Sequence, residues 1–342
     1  MIIEATQTFS PGNVELLEYL LCKIKESNVA AVVYLGHDFT YNKLKSFNSE
    51  RIKIFKSKPI ETIIRFSKKR SNVLYFCSYP PFVKNYNSIV YFHTQFFLWP
   101  QKILKDKSIS NSTKIKRLFL NFYIKIFKNK VQHFFCQTKL MSDDLVSNFN
   151  GINVKIVPFY NDLELIKSKF ESKKEFDFFY PSTPDIHKNH FKLFEAIKII
   201  GKKRKVQLCV TIHENADRYL TTIKEVNTFL GYNAIINVGR IPKSEVINLY
   251  QKSKCVVFPS LIESLGLPLI EASSLGCLII GSNLDYLHNV IQNPIVFNPL
   301  DVASIESELN NFLDGKYSEI VQENKVENKV SEIVSFYTIN IN

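Results

Sequence analysis

Residues 259–281 read PSLIESLGLPLIEASSLGCLIIG, from Pro259 to Gly281, and the fold follows from this stretch. Just before it, Cys255-Val256-Val257-Phe258 is a short apolar, β-branched-rich run with the character of a buried strand. Near its end, Leu278-Ile279-Ile280 is another. Between them Gly266-Leu267-Pro268 opens a helix, and Pro268 suits the first helical position because its missing N–H would have had no partner there. Strand, loop, helix and strand make a parallel βαβ unit. Its loop lies at the carboxyl end of a strand, where open α/β sheets bind ligands.

The loop and helix carry two carboxylates, Glu263 and Glu271. Gly266 permits close backbone approach to a ligand. The amides of the helix's first turn, aided by the helix dipole, form a site for phosphate. Glu263, on the loop, accepts hydrogen bonds from neutral hydroxyls. Glu271, about one turn into the helix, reaches a point several ångströms away. A nucleotide sugar, with hydroxyls at both ends and phosphates between, fits these groups.

These residues resemble the signature of the retaining glycosyltransferases of family 4, which have the GT-B fold. Glu263 and Glu271 stand in that family's Glu-x7-Glu pattern. Pro-Ser precedes the first Glu, Gly-Leu-Pro follows it, Glu-Ala lies on the helix and a Gly precedes the next strand. Leu265 departs from the pattern, since an aromatic residue is common there. The resemblance implies that Glu263 faces the donor sugar and Glu271 holds the ribose hydroxyls, with Ser264, Leu265, Gly266 and Leu267 lining the donor.

At 342 residues the chain is long enough for two domains. Its formal charge of +12 is unevenly spread. Residues 1–165 hold 24 Lys and Arg against 12 Asp and Glu, whereas 166–342 hold 20 against 20. The first half therefore calls for an anionic partner: a membrane surface, lipid phosphate or nucleic acid. Cys22, Cys77, Cys136, Cys209, Cys255 and Cys277 are scattered through apolar runs with no zinc spacing, as reduced core cysteines of a cytoplasmic protein would be. No signal peptide and no run of 18 apolar residues is present.

Along the first half, Val14 to Lys25 is periodic as a helix after the Ser10-Pro11-Gly12-Asn13 turn, with Asn13 in reach of the N-cap role. Strands are expected at Ala30 to Leu35, Asn72 to Cys77, Ser88 to Phe92, Gln132 to Cys136 and Val154 to Val157. The second half repeats this grammar at Asp177 to Tyr180, Gln207 to Ile212, Ala234 to Val238, Cys255 to Phe258 and Cys277 to Ile280. Strands alternating with helices predict doubly wound parallel sheets. Two Rossmann-like domains are expected, 1–165 and 166–342, joined near 160–172. In the GT-B fold they would face a central cleft, with the last helix packing back on the first domain.

Other candidate residues lie on loops above strand ends. In Pro181-Ser-Thr-Pro-Asp-Ile-His-Lys-Asn-His190 two prolines fix a loop, and Lys188 there can neutralise a diphosphate as a point charge. The family has a Lys in the equivalent loop. Many members add an Arg just after the strand, where this chain has Ser182 and Thr183; Arg240 is a candidate substitute. His93 closes a strand as Phe92-His93-Thr94-Gln95. The family places a His here facing the donor sugar, and a packed or capping His is the plain alternative. Gly12, in the first strand-to-helix turn, occupies the place of the family's Gly-rich loop. No DxD motif is placed to bind a metal, and Asp143-Asp144 begins a helix.

From Lys102 to Lys130 there are nine basic residues and one acid, Asp106. On a helix, Lys114, Arg117, Asn121, Lys125 and Lys128 fall on one stripe, and Ile115, Phe119, Leu120, Phe122, Tyr123, Ile126 and Phe127 fill a wide opposite arc. Such a helix suits an anionic membrane; the alternative is a domain helix with solvated lysines. No nucleic-acid-binding motif is present.

The function expected is transfer of a sugar, with retention and without a metal or other cofactor, from a nucleotide sugar to a saccharide acceptor. That acceptor would be polyprenyl-linked, as in the assembly of surface polysaccharides such as O-antigen. A nucleotide-sugar 2-epimerase and a non-catalytic GT-B-like binding protein are the rivals. A dinucleotide-dependent oxidoreductase is disfavoured because no GxGxxG follows an expected strand.

Overall fold

A computed structural model describes residues 1–76, 79–93, 111–161 and 173–338. Cys77, Thr94, Gln95, the 102–110 part of the basic stretch and 162–172 of the joining segment lie outside them. The chain divides into two compact units, Met1–Asn161 with Glu327–Asn342, and Asp162–Val326.

In unit 1, strands β1 (Ile2–Ala5), β2 (Ala31–Leu35), β3 (Ile52–Lys56), β4 (Ser71–Tyr75), β5 (Tyr86–Phe92), β6 (His133–Cys136) and β7 (Val154–Ile156) pair in the order β3-β2-β1-β4-β5-β6-β7. Every pairing is parallel. Helices α1 (Pro11–Glu26), α2 (Asp38–Leu44), α3 (Pro59–Phe66), α4 (Asn111–Phe127) and α5 (Lys139–Asn148) run between them. Parallel strands covered by helices are buried on both faces, which is why β5 reads as a nearly unbroken apolar run.

Helix α1 begins three residues before the apolar periodicity does. Its N-cap is Ser10, Pro11 opens it and Gly12 lies in its first turn, so Asn13 is inside the helix rather than capping it. Val14, Leu17, Leu21 and Ile24, spaced three and four apart, are buried.

One core cluster joins Phe66 of α3, Ile124 of α4 and Met141 and Leu145 of α5 to Val73, Tyr75, Val90, Phe92, Phe134 and Cys136. The three helices therefore cover the same part of the sheet. Helix α4 divides the apolar arc expected from its sequence. Leu120, Tyr123 and Ile124 pack against this cluster, and the Phe127 ring meets those of Phe82 and Tyr123. Ile115, Phe119, Phe122 and Ile126 are exposed instead, together with Leu118.

Glu4, on β1, is 1% exposed and carries a charge into this core. Arg65 of α3 meets it from Nε at 2.6 Å and from Nη2 at 3.1 Å, and Arg70 adds a contact at 3.2 Å. The Arg65 guanidinium also donates to Ser57 and lies 4.0 Å from the centre of the Tyr34 ring. Two-pronged contact to a carboxylate fixes orientation as well as distance, so this network sets how α3 lies on the sheet.

In unit 2, β8 (Phe176–Tyr180), β9 (Leu208–Val210), β10 (Ile235–Asn237), β11 (Ser253–Phe258), β12 (Leu278–Ser282) and β13 (Ile295–Phe297) pair in the order β10-β9-β8-β11-β12-β13, again all parallel. Between and after them come α6 (His190–Gly201), α7 (Asp217–Leu230), α8 (Lys243–Lys252), α9 (Leu267–Ser274), α10 (Asp285–Val290) and α11 (Val302–Leu313). The last helix, α12 (Val330–Thr338), counts with unit 1: Val330, Ile333, Val334 and Tyr337 are buried, and Phe336 meets the rings of His133 and Phe135.

Removing one member of a buried charge network leaves the others uncompensated, at a cost of about 3–5 kcal/mol. Glu4→Ala is therefore expected to lower the urea midpoint of unit 1 clearly. An unchanged midpoint would show that the network contributes nothing to stability.

Candidate active site

Strand order in unit 2 reverses between β8 and β11: the chain leaves β8 toward β9 and leaves β11 toward β12. Loops that diverge at such a point open a crevice at the carboxyl ends of the strands. The loop after β8 contains Lys188, in a short 3-10 turn at Ile186–Lys188, and the loop after β11 contains Glu263. Lys188 Nζ and Glu263 Oε1 form an ion pair at 2.5 Å, and both side chains are largely buried. The Lys188 ammonium also lies 5.9 Å from the centre of the Phe258 ring.

Around that pair the two loops are stitched together. The Tyr180 hydroxyl is 2.9 Å from the Lys188 carbonyl and 3.0 Å from Ser260 Oγ. The Leu261 amide donates to the His187 carbonyl at 2.8 Å, and Asn189 donates to the carbonyls of Pro259 and Pro299. From α10, the Tyr286 hydroxyl donates to the Ser260 carbonyl at 2.8 Å. Burial first, and then the Glu263 charge, raise the pKa of Tyr180 and of Tyr286, so both phenols stay protonated and able to donate. Burial and the neighbouring Lys188 charge lower that of His187, which favours a neutral imidazole.

Past Glu263 the chain turns into α9. Leu265 is 1% exposed, so what it offers a ligand is backbone. Gly266 is the N-cap, with φ +71°, and a Cβ built on it would come within 2.9 Å of Leu269 Cδ1. Both facts favour glycine here. Leu267 is the first helical residue and Pro268 the second, one place later than the sequence suggests. No side chain caps the helix; Pro268 has no N–H and the Leu269 amide donates to the Gly266 carbonyl at 2.8 Å, so what this end offers another acceptor is the backbone of Gly266 and Leu267. Ser264 sits beside Glu263 on the same loop.

Glu271, one turn along α9, is 7% exposed. It forms an ion pair with Lys243 of α8 and accepts from the Tyr250 hydroxyl at 2.9 Å. Both partners come from elsewhere in the chain, and no local pattern marks them. Arg240 is exposed on the loop after β10, shortly before α8 begins. Among the described residues no three His, Cys, Asp or Glu side chains gather as a metal-binding group.

The other two sequence candidates lie in unit 1. Gly12 is in the first turn of α1. His93, just past β5, is 6% exposed and stacks on the rings of Phe76 at 4.9 Å and Tyr91 at 6.1 Å. Its Nδ1 has no hydrogen-bond partner among the described residues; nor do Thr6 Oγ1 and Gln137 Nε2, at the carboxyl ends of β1 and β6. Buried polar atoms are nearly always satisfied, so a row of such atoms at the ligand-binding edge of a parallel sheet is informative. Burial pushes His93 down from the usual 6.5 to about 4.

Two Rossmann-like units with all-parallel sheets are the architecture of the GT-B fold. Residues 162–328 match the family model described as Glycosyl transferases group 1. The chain is 24% identical over 202 residues to the O-antigen chain mannosyltransferase RfbU of Salmonella typhimurium, a stretch covering 58% of this chain and 55% of that protein. It is 26% identical over 247 residues to the capsular polysaccharide biosynthesis glycosyltransferase CapH of Staphylococcus aureus, covering 70% of this chain and 64% of that one. The chain thus spans between half and two thirds of the length of these two relatives. Among solved structures, the Anabaena Alr3699/HepE complex with UDP and glucose is similar with a TM-score of 0.66 at 13% identity, over 100% of this chain and 95% of that one. A glycosyltransferase from Rickettsia africae gives 0.68 at 14%, over 100% and 94%. At such identities the likeness is one of fold.

Protonation supplies a test of the His93 environment. Its native constant is about 4 against an ordinary 6.5, so the unfolded chain accepts a proton that the native state refuses. His93 therefore contributes a loss of stability of about 3 kcal/mol as pH drops from about 6.5 toward 4, beside the loss from buried His190, whose pKa is also lowered. His93→Phe is expected to make this part of the pH–stability curve shallower, measured by urea unfolding, with the remaining slope owed to histidines such as His190. An unaltered slope would place the acid sensitivity elsewhere.

Proposed function

We propose that the chain is a retaining, metal-independent glycosyltransferase of family 4. Unit 2 binds the nucleotide-sugar donor and unit 1 receives a saccharide acceptor carried on a polyprenyl lipid, in the assembly of a surface polysaccharide such as O-antigen or capsule. The observation that carries this reading is the Lys188–Glu263 pair at the strand-order reversal, beside the uncapped start of α9. Similarity to RfbU and CapH supports the pathway class.

Departure of a nucleoside diphosphate places negative charge on its phosphates. Lys188, with the Gly266 and Leu267 amides at the start of α9, would stabilise that charge where it develops. A diphosphate competes with Glu263 for Lys188, and Glu263 is then released to accept from the hydroxyls of the donor sugar. Glu271, held in place by Lys243 and Tyr250, would orient the ribose. Arg240, Ser264 and the Leu265–Leu267 backbone complete the donor side. In unit 1, the neutral His93 would present its ring nitrogen to a sugar hydroxyl, with Gly12 allowing close approach.

The test is thermal unfolding with UDP, GDP, ADP, CMP and dTDP in EDTA. A nucleotide at 100 times its dissociation constant stabilises the native state by about 2.7 kcal/mol. The expected result is a shift with one nucleotide, unaffected by EDTA and weakened in Glu271→Ala. No shift with any nucleotide would overturn the donor-site reading.

A further inference from the structure

Helix α4 is apolar on two sides. One side, with Leu120, Tyr123, Ile124 and Phe127, holds it against unit 1. The other presents Ile115, Leu118, Phe119, Phe122 and Ile126, each more than half exposed. At about 100° per residue these five form one continuous stripe facing away from the packed side. Helix α3 repeats the arrangement on a smaller scale: Phe66 is buried, whereas Ile60, Ile63 and Ile64, three and four apart, are exposed. The two helices are joined through aromatic contacts, Phe66 to Phe82 at 6.0 Å and Phe82 to Tyr123 at 6.0 Å.

Eight large exposed aliphatic and aromatic side chains on two neighbouring helices far exceed the scattered apolar residues of an ordinary surface. Their surroundings indicate what covers them. At the same spacing Lys125, which is exposed, and Lys114 border the α4 stripe along one flank, Arg117 and Lys128 lie beyond them, and Lys130 follows in the chain. No acidic residue lies between Asn111 and Lys130. A second copy of this chain would bring the same positive charges face to face. An anionic surface would neutralise them, and a bilayer also supplies an apolar layer for the stripe. None of the described helices is long and apolar enough to cross a membrane, so the contact is interfacial.

We infer that α4, assisted by the exposed isoleucines of α3, is an interfacial membrane anchor. Phe119, Phe122 and Ile126 enter the acyl boundary of an anionic leaflet, and Lys114 and Lys125 pair with lipid phosphates along its flank. The inference gives the lipid-linked acceptor of the proposed function a surface on which to be met. Its evidence is exposure and charge, so it stands or falls separately from nucleotide binding.

The experiment is cosedimentation of the full chain with vesicles of phosphatidylcholine alone or mixed with phosphatidylglycerol, at low and high salt. Wild type is expected to sediment with the anionic vesicles. Phe119→Ser with Phe122→Ser should weaken that binding on the order of tenfold or more. Lys114→Glu with Lys125→Glu should abolish the preference for anionic lipid. Phe119, Phe122 and Lys125 are exposed and Lys114 is half-buried at the surface, so circular dichroism should confirm an unchanged fold and the nucleotide shifts should match wild type. No sedimentation of wild type at low salt would overturn the inference, as would equal sedimentation of the serine variant. A stable dimer by light scattering that the serine substitutions dissociate would also overturn it, by assigning the stripe to a second copy.

Discussion

β8 and β11 lie side by side, with Phe178 beside Cys255 and Phe179 beside Val256, although the chain leaves them in opposite directions across the sheet. Everything distinctive about unit 2 depends on this adjacency. Two loops that must diverge are drawn together only by side chains and a few backbone bonds: Lys188 to Glu263, Tyr180 to Ser260, Asn189 to Pro259 and Leu261 to His187. The strong contacts sit where the backbone ladder ends. An opposite pair of charges in a largely buried place is held firmly, and neither member can leave without a replacement for the other. In the proposed function a phosphate for the lysine and a hydroxyl cluster for the glutamate would be such replacements.

Much of this was legible in the sequence because parallel strands covered on both faces betray themselves by composition. The runs at Ala31–Leu35, Ser253–Phe258 and Leu278–Ser282 are apolar almost without interruption. Three strands escaped notice for physical reasons. β1 is only four residues long and carries the charged Glu4, β3 alternates Ile with Lys as an edge strand does, and β13 has three residues. The glutamate frame around Gly266 was readable because its chemistry is local. The partners of Glu271 were not, since Lys243 and Tyr250 stand 28 and 21 residues away and no periodicity links them.

Helix α4 shows a different limit. Its sequence displays a wide apolar arc, and a helical projection cannot say which part meets the sheet. Packing decides: the side chains nearest Val73, Tyr75 and Phe134 are enclosed, and those beyond them are left outside. The network of Glu4 with Arg65 and Arg70 was equally hidden, because it joins residues 61 and 66 positions apart. Long-range polar contacts are chosen by topology, and topology is what a one-dimensional pattern carries least.

Unit 1 is assembled from two separated pieces of chain, whereas Asp162–Val326 is continuous. Helix α12 covers the rings of His133 and Phe135 and is tied by Lys155 to Glu332 at 2.7 Å and by Lys329 to the Pro158 carbonyl at 2.8 Å. During synthesis the first sheet is therefore complete in its strands but uncapped until residues 327–338 emerge from the ribosome. The order of translation and the order of folding part company here: the unit begun first is the last to be finished, and its apolar flank stays open to chaperones while the second unit is being made.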